Sequence, residues 1–550
     1  MALLLDIYGF LSVLVHGAVL VALGVTLGGI AFLLGLARPL APELGAAGAL
    51  ILRRCHRWLS GSALVLAGLT ALGMLGEAGI LLDSGLSPGE VLGAGSLLAG
   101  LALLLTALAV ATLPYRAWDH PEGRLAAILL GLVMLAADVA TSHAAARLEG
   151  RLPLALLTAL HQLGAAIWIG GMPYFLIALA GCRDGVTWRR VGKRFSQMSM
   201  AAVAMIAAAG VALAFVYVGS LEGLYGTAYG VMVIAKAALF VGLLLLGLGN
   251  FQLVERLRRD PATPILRLRR FAEVELGVGF TVFFAAAALT SAPPAVDLPN
   301  DRATLAEIVE RMTPEWPRLS SPHEKDLALL QLQARLDAEA GSRARAQRAF
   351  VPGAGIVPPR NAADIAWSEY NHHWAGLLVL LMGLLALAER TGRARWARHW
   401  PLLFLVMAGF ILIRSDPETW PLGPVGFFES LRDPEVVQHR IFVVLMVAYA
   451  LFEWRVRARP ETAGRAALVF PLLTAVGGGL LLTHSHVLAN LKDQLLIEMS
   501  HVPLALLGLA CGWARWLELR LAPPASRVAG WVWPACLVGV GLILLLYREA

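Results

Sequence analysis

The chain has 550 residues, 58% of them hydrophobic and 15% charged, with a mean hydropathy of +0.70. That composition excludes an ordinary soluble globule, which is about half apolar. The formal net charge of +7 would suggest nucleic acid in a soluble chain, but here it reflects arginines on cytoplasmic loops.

Apolar runs long enough to cross a bilayer need roughly 20 residues. By that rule the chain is an all-α polytopic membrane protein of about 14 transmembrane helices. Met1-Ala2-Leu3-Leu4-Leu5-Asp6 lacks a basic start and a small-residue cleavage site, so the first run reads as a retained helix. The first eight runs are 10–37, 57–77, 92–113, 124–143, 154–180, 197–219, 228–250 and 271–292. Six more follow a polar gap, at 372–389, 400–414, 441–454, 466–484, 501–519 and 529–547.

Basic residues crowd alternate loops: Arg53, Arg54 and Arg57; Arg183 to Arg194; Arg256 to Arg270; Arg393 to Arg398; Arg455, Arg457 and Arg459. Loops 78–91 and 220–227 hold no Lys or Arg. The basic loops are therefore expected to be cytoplasmic, with both termini periplasmic. Three parts result: a bundle at 1–295, a periplasmic insert at 296–371 and a second bundle at 372–550. The insert shows a short helix at Thr304–Met312, an amphipathic one at Lys325–Ala340 and a Gly/Pro-rich stretch at Val351–Pro359. It reads as a linker that partly caps the membrane domain. Cys55, Cys182, Cys511 and Cys536 form no C-x-x-C pair, so neither a disulfide framework nor a thiolate metal site is indicated.

The topology sorts the histidines. His56, His120 and His399 fall on the cytoplasmic side, and His323 in the insert. The other nine gather near the periplasmic helix ends: His16, His143 and His161, then His372, His373, His439, His484, His486 and His501. A layer of imidazoles suits copper, zinc or iron. It equally suits axial ligation of haem b by His16, His161, His372, His439, His484 and His501. Met499 adds a thioether that favours Cu(I), and Glu498 stands three residues from His501 as an orienting carboxylate. For a single histidine at a helix end, anchoring in the headgroup region is the plainer reading.

His161 lies deeper in an apolar run, where an ionisable side chain needs a partner. Trp168, seven residues on, shares its helical face. Asp138 and Lys236 read as an intramembrane charge pair, structural or part of an ion relay. Glu275, near the cytoplasmic end of its helix, reads as reaching the interface. No Walker loop and no H-E-x-x-H motif is present.

His161 to Pro173, with its Trp168-Ile169-Gly170-Gly171 core, resembles the signature of the bacterial copper resistance protein D family. The ordered segments Arg194-Phe195-Ser196, Gly219-Ser220-Leu221, Gly226 to Gly230, Ala235-Lys236 and Leu289 to Pro294 extend that likeness over 154–295. The second bundle, with Trp367 to Trp374, is similar to a C-terminal extension of some members. The resemblance implies an inner-membrane protein of copper uptake or homeostasis, with a periplasmic copper-carrying partner of the CopC type. His16 and Lys236 are also similar to the first-helix histidine and intramembrane lysine of HemJ-type membrane haem proteins. Three functions stay open: copper transport, haem b electron transfer as an oxidoreductase, and docking of a partner on the insert.

Overall fold

The computed structural model describes residues 2–323, 326–327, 361–417, 419–431, 434–483 and 491–549. His484, His486, the Gly/Pro-rich stretch and nearly all of the expected 325–340 helix lie outside the described residues. Helices dominate, with no β-strand among the described residues beyond one isolated bridge, Thr419 to Val425. Among them, eleven helical segments are long and apolar enough to cross a membrane. The first, Leu11–Asp83, has 73 residues, several times the roughly 20 one crossing needs. The chain is an all-α polytopic membrane protein.

The contacts divide it into two units, chiefly 1–300 and 301–482 with 486–550. In the first unit the helices are α1 (Ala2–Phe32), α2 (Arg38–Asp83), α3 (Gly95–Thr112), α4 (Pro121–Val139), α5 (Arg151–Ala165), α6 (Met172–Gly181), α7 (Gly185–Val218), α8 (Ala228–Arg259) and α9 (Leu266–Ser291). Inside α2, Gly45 takes φ +53° and breaks the helix, just past Pro42. A positive φ is costly for residues with a Cβ, so the turn falls on glycine.

Two π-helical turns interrupt this unit, Leu33–Ala37 after α1 and Ala166–Gly170 after α5. A π turn breaks the i→i−4 ladder and frees backbone groups. Arg194 Nε donates to the Gly35 carbonyl oxygen at 2.9 Å, which uses one of them. The second π turn coincides with Ala166-Ile167-Trp168-Ile169-Gly170 and packs on α1 through bare backbone. A Cβ on Gly170 would lie 1.9 Å from Gly24 O, and one on Gly28 would lie 2.3 Å from Ala166 O. Small residues let membrane helices pack this closely. Gly170→Ala is therefore expected to push α1 off the π turn and cost about 1–3 kcal/mol, read as a lower thermal midpoint in detergent. An unchanged midpoint would show that the contact is loose.

The second unit opens with α10 (Leu305–Met312), capped by Thr304 in a reciprocal capping box with Glu307. Its longer helices are α11 (Ala362–Arg390), α12 (Leu403–Arg414), α13 (Pro434–Ala458), α14 (Val469–Leu481), α15 (Leu491–Arg520) and α16 (Ala525–Leu545). Residues after α10 are tied to this unit by Arg318–Glu369 at 3.2 Å and Glu315–Arg548 at 2.9 Å. At its arginine-rich end, Arg457 is not a solvated loop charge. Its side chain is 6% exposed, donates to Glu453 at 2.7 Å and reaches Glu389 at 3.3 Å. Its guanidinium lies over Trp400 at 4.7 Å and Trp533 at 5.1 Å. Arg515, Arg390 and Trp533 all donate to Glu518 beside it. Sequence spacing puts Arg457 just past an apolar run; the aromatic box that swallows it comes from three other segments.

Candidate functional site

In the first unit α5 carries the site and α1, α4, α7 and α8 surround it. His161 Nδ1 faces the Ile206 carbonyl oxygen at 3.2 Å. A carbonyl only accepts, so Nδ1 holds the proton and Nε2 keeps the lone pair. Gly210, one turn beyond Ile206, makes the room: a Cβ there would lie 3.2 Å from His161 Cε1. Lys236 on α8 is the charged group acting on His161.

The next residue, Gln162, donates through Nε2 to Asp138 Oδ2 at 2.7 Å. Asp138 is 7% exposed, and His16 on α1 is its electrostatic neighbour. No ion pair joins Asp138 to Lys236 among the described residues. Gln162 holds Asp138, His16 acts on it electrostatically, and Lys236 acts electrostatically on His161. The expectation erred because depth along a helix fixes a level, not a partner. Four helices thus bring His16, Asp138, Gln162, His161 and Lys236 into one polar layer, Asp138 buried and the others half-buried.

Two turns along, Trp168 Nε1 donates to Glu275 Oε1 at 2.8 Å, and Asn250 Nδ2 donates to Oε2 at 2.7 Å. Glu275 is 2% exposed, so it does not reach the interface as its sequence position suggests. Trp168 also meets Phe240 edge-on at 6.1 Å, one turn along α8 from Lys236. His161 and Trp168 therefore both face α8. Asn250 and Gln162 were the missed signals: a carboxamide inside an apolar run needs a partner as much as a charge does.

His143 starts a short helix, His143–Ala146, beyond the end of α4. Its Nε2 and the Tyr217 hydroxyl are both buried without hydrogen-bond partners, with ring centroids 6.2 Å apart. The bidentate pair Arg147–Asp297, both bonds 2.8 Å, lies beside them. His56 behaves differently. Its Nε2 bonds the Leu113 carbonyl oxygen at 3.1 Å and its ring meets Tyr115 and Trp118 edge-on. His56→Ala is expected to lower stability by about 1 kcal/mol, read as a lower thermal midpoint in detergent.

In the second unit the histidines part company. His373 Nε2 donates to the Tyr547 carbonyl at 2.7 Å, and Nδ1 accepts from the Arg318 N–H at 2.7 Å. Both nitrogens are used by the fold, which removes His373 from the ligand set. His372 Nδ1 donates to Ser368 O at 2.9 Å, its ring stacks on Tyr547 at 4.1 Å, and His501 acts on it electrostatically. His439 Nδ1 donates to Asp416 Oδ1 at 2.7 Å, the carboxylate–imidazole arrangement that orients metal-ligating histidines. Burial acts to raise the Asp416 carboxyl, but bonds from His439 and Ser415 outweigh it and hold it below the usual value. Met499 is half-buried on α15 and Glu498 is 6% exposed. Among the described residues no three His, Cys, Asp or Glu side chains converge to hold a metal ion. The four cysteines are free.

Residues 189–289 match the family described as Copper resistance protein D. That segment runs from α7 through most of α9 and supplies Ile206, Lys236, Asn250 and Glu275. His161 to Pro173 lie just before it. Within the matched segment, packing accounts for one glycine. Thr227 caps α8, accepting from Gly230 N at 3.0 Å, and a Cβ on Gly230 would strike Leu224 O at 2.2 Å. The chain is also 32% identical over 168 residues to the Copper transport protein CutJ of Bacillus subtilis (strain 168). That match covers 29% of this chain and 29% of the relative. No solved structure matches.

Proposed function

We propose that the chain transports copper into the cell across a bacterial inner membrane, with periplasmic-side histidines of the first bundle capturing it. The observation that carries this reading is the His161 ring. Its Nδ1 proton is spent on Ile206, so the nitrogen left to bind is a neutral lone pair at membrane depth. The copper resistance protein D segment and the likeness to a copper transport protein point the same way. Copper is the cargo, so a transient site of few ligands suits it better than a closed cage. His143 and the Arg147–Asp297 pair stand at the arginine-poor end, where capture begins. His16 and His161 follow, with Asp138 beside His16. A CopC-type protein would deliver the ion on the periplasmic side. The His372, His501 and His439 sites in the second bundle serve as a separate binding region.

Lys236 favours a second reading. A cation beside a ligating imidazole suits a haem b carboxylate, with His161 as axial ligand. Copper uptake into proteoliposomes separates the two: the transport reading expects saturable uptake by the full chain that His161→Ala abolishes. Uptake no faster than in empty vesicles would remove it.

A further inference from the structure

Glu275 is held in an unusual way for a carboxyl group inside a membrane bundle. Both of its oxygens accept from neutral donors, Trp168 and Asn250, and these are the polar groups that act on it. The elements packed against α9 are α1, α6, α8 and the π turn, and none of them brings a charged group to it. Asn250 Oδ1 is buried beside it without a hydrogen-bond partner. Gly247 leaves the flank open: a Cβ there would lie 3.5 Å from Glu275 Oε1 and 3.7 Å from Trp168 Cζ2.

An ionised carboxylate buried among neutral groups is costly, and so is an orphaned amide oxygen. A proton on Glu275 removes the buried charge. A protonated Glu275 still accepts from Trp168 Nε1 and Asn250 Nδ2, one at each oxygen. The site is also in the right place. Trp168 lies seven residues from His161 along a shared face, about 10 Å at 1.5 Å per residue.

We propose that Glu275 carries a proton and exchanges it for the cargo cation as the cation passes Trp168. The O–H bond breaks, the proton leaves toward the arginine-rich side, and the carboxylate left behind neutralises one unit of the cargo's charge. No electron moves. This rests on the copper reading above and adds the coupling ion to it.

The test uses the purified full chain in weakly buffered detergent, titrated with copper(I) as its acetonitrile complex. Bound copper is read by elemental analysis after desalting, and released protons by a pH dye. Glu275→Gln keeps the amide geometry but has no proton to give. It is expected to release about one proton fewer for each copper it binds. Equal proton release by the two proteins overturns the proposal. Should the variant fail to fold, the infrared difference spectrum of wild-type protein labelled with carbon-13 glutamate decides. Copper should erase a protonated-carboxyl band that shifts with the label; no such change overturns the proposal. A wild type that binds no copper removes the transport reading and the coupling together, whereas intact binding with unchanged protons removes the coupling alone.

Discussion

Purified His161→Ala protein is expected to hold at least about tenfold less copper in the first bundle than the wild type, a loss of about 1.4 kcal/mol or more in binding. The reason is geometric. His161 is the imidazole of the layer whose tautomer the backbone fixes, through Ile206 O at 3.2 Å. Removing a ligand also leaves Lys236 without the lone pair that a bound cation shares. Gly210, which makes room for the ring, gives a control: a larger residue there should displace the imidazole and copy the loss. Elemental analysis on the first-bundle site, with second-bundle histidines replaced, reads the result. Copper content equal to wild type would remove His161 from the account.

Arg457→Met is expected to destabilise the second unit by roughly 3–5 kcal/mol, because it strands a buried carboxylate. Glu453 is 2% exposed at its side chain, and Arg457 is its ion-pair partner at 2.7 Å. The loss should show as a large drop in thermal midpoint, with copper in the first unit retained. Replacing the pair together, Glu453→Leu with Arg457→Met, should recover much of it, since a buried ion pair gains little over packed apolar side chains. A single variant as stable as the wild type would mean that water reaches Glu453.

Much of this architecture is legible in the residues. Apolar runs mark the helices because a bilayer fixes their length, and Thr304 with Glu307 marks a helix start because both side chains satisfy free backbone N–H groups. His161 and Trp168 read as one face because seven residues make two turns. Partners were harder. Asp138 and Lys236 share a depth, yet each meets a different residue of α5, Gln162 and His161, and only the packing decides which. Glu275 sits near a helix end, where charges usually reach water; Trp168 arrives through a π turn that no hydrophobic period reveals. His373 stands beside His372 in sequence, but consecutive helical residues point about 100° apart. One is consumed by the Tyr547 and Arg318 backbones, the other stacks on the Tyr547 ring. Arg457 was counted as a loop charge because charge counts ignore which aromatic rings fold over it.

The most direct test of the copper reading is an optical spectrum of the detergent-purified protein, oxidised and then dithionite-reduced, with elemental analysis of the same sample. The account predicts bound copper, no stoichiometric iron and no Soret band. A Soret band that sharpens on reduction, with stoichiometric iron and no copper, would contradict it and make the buried imidazoles axial ligands of haem b.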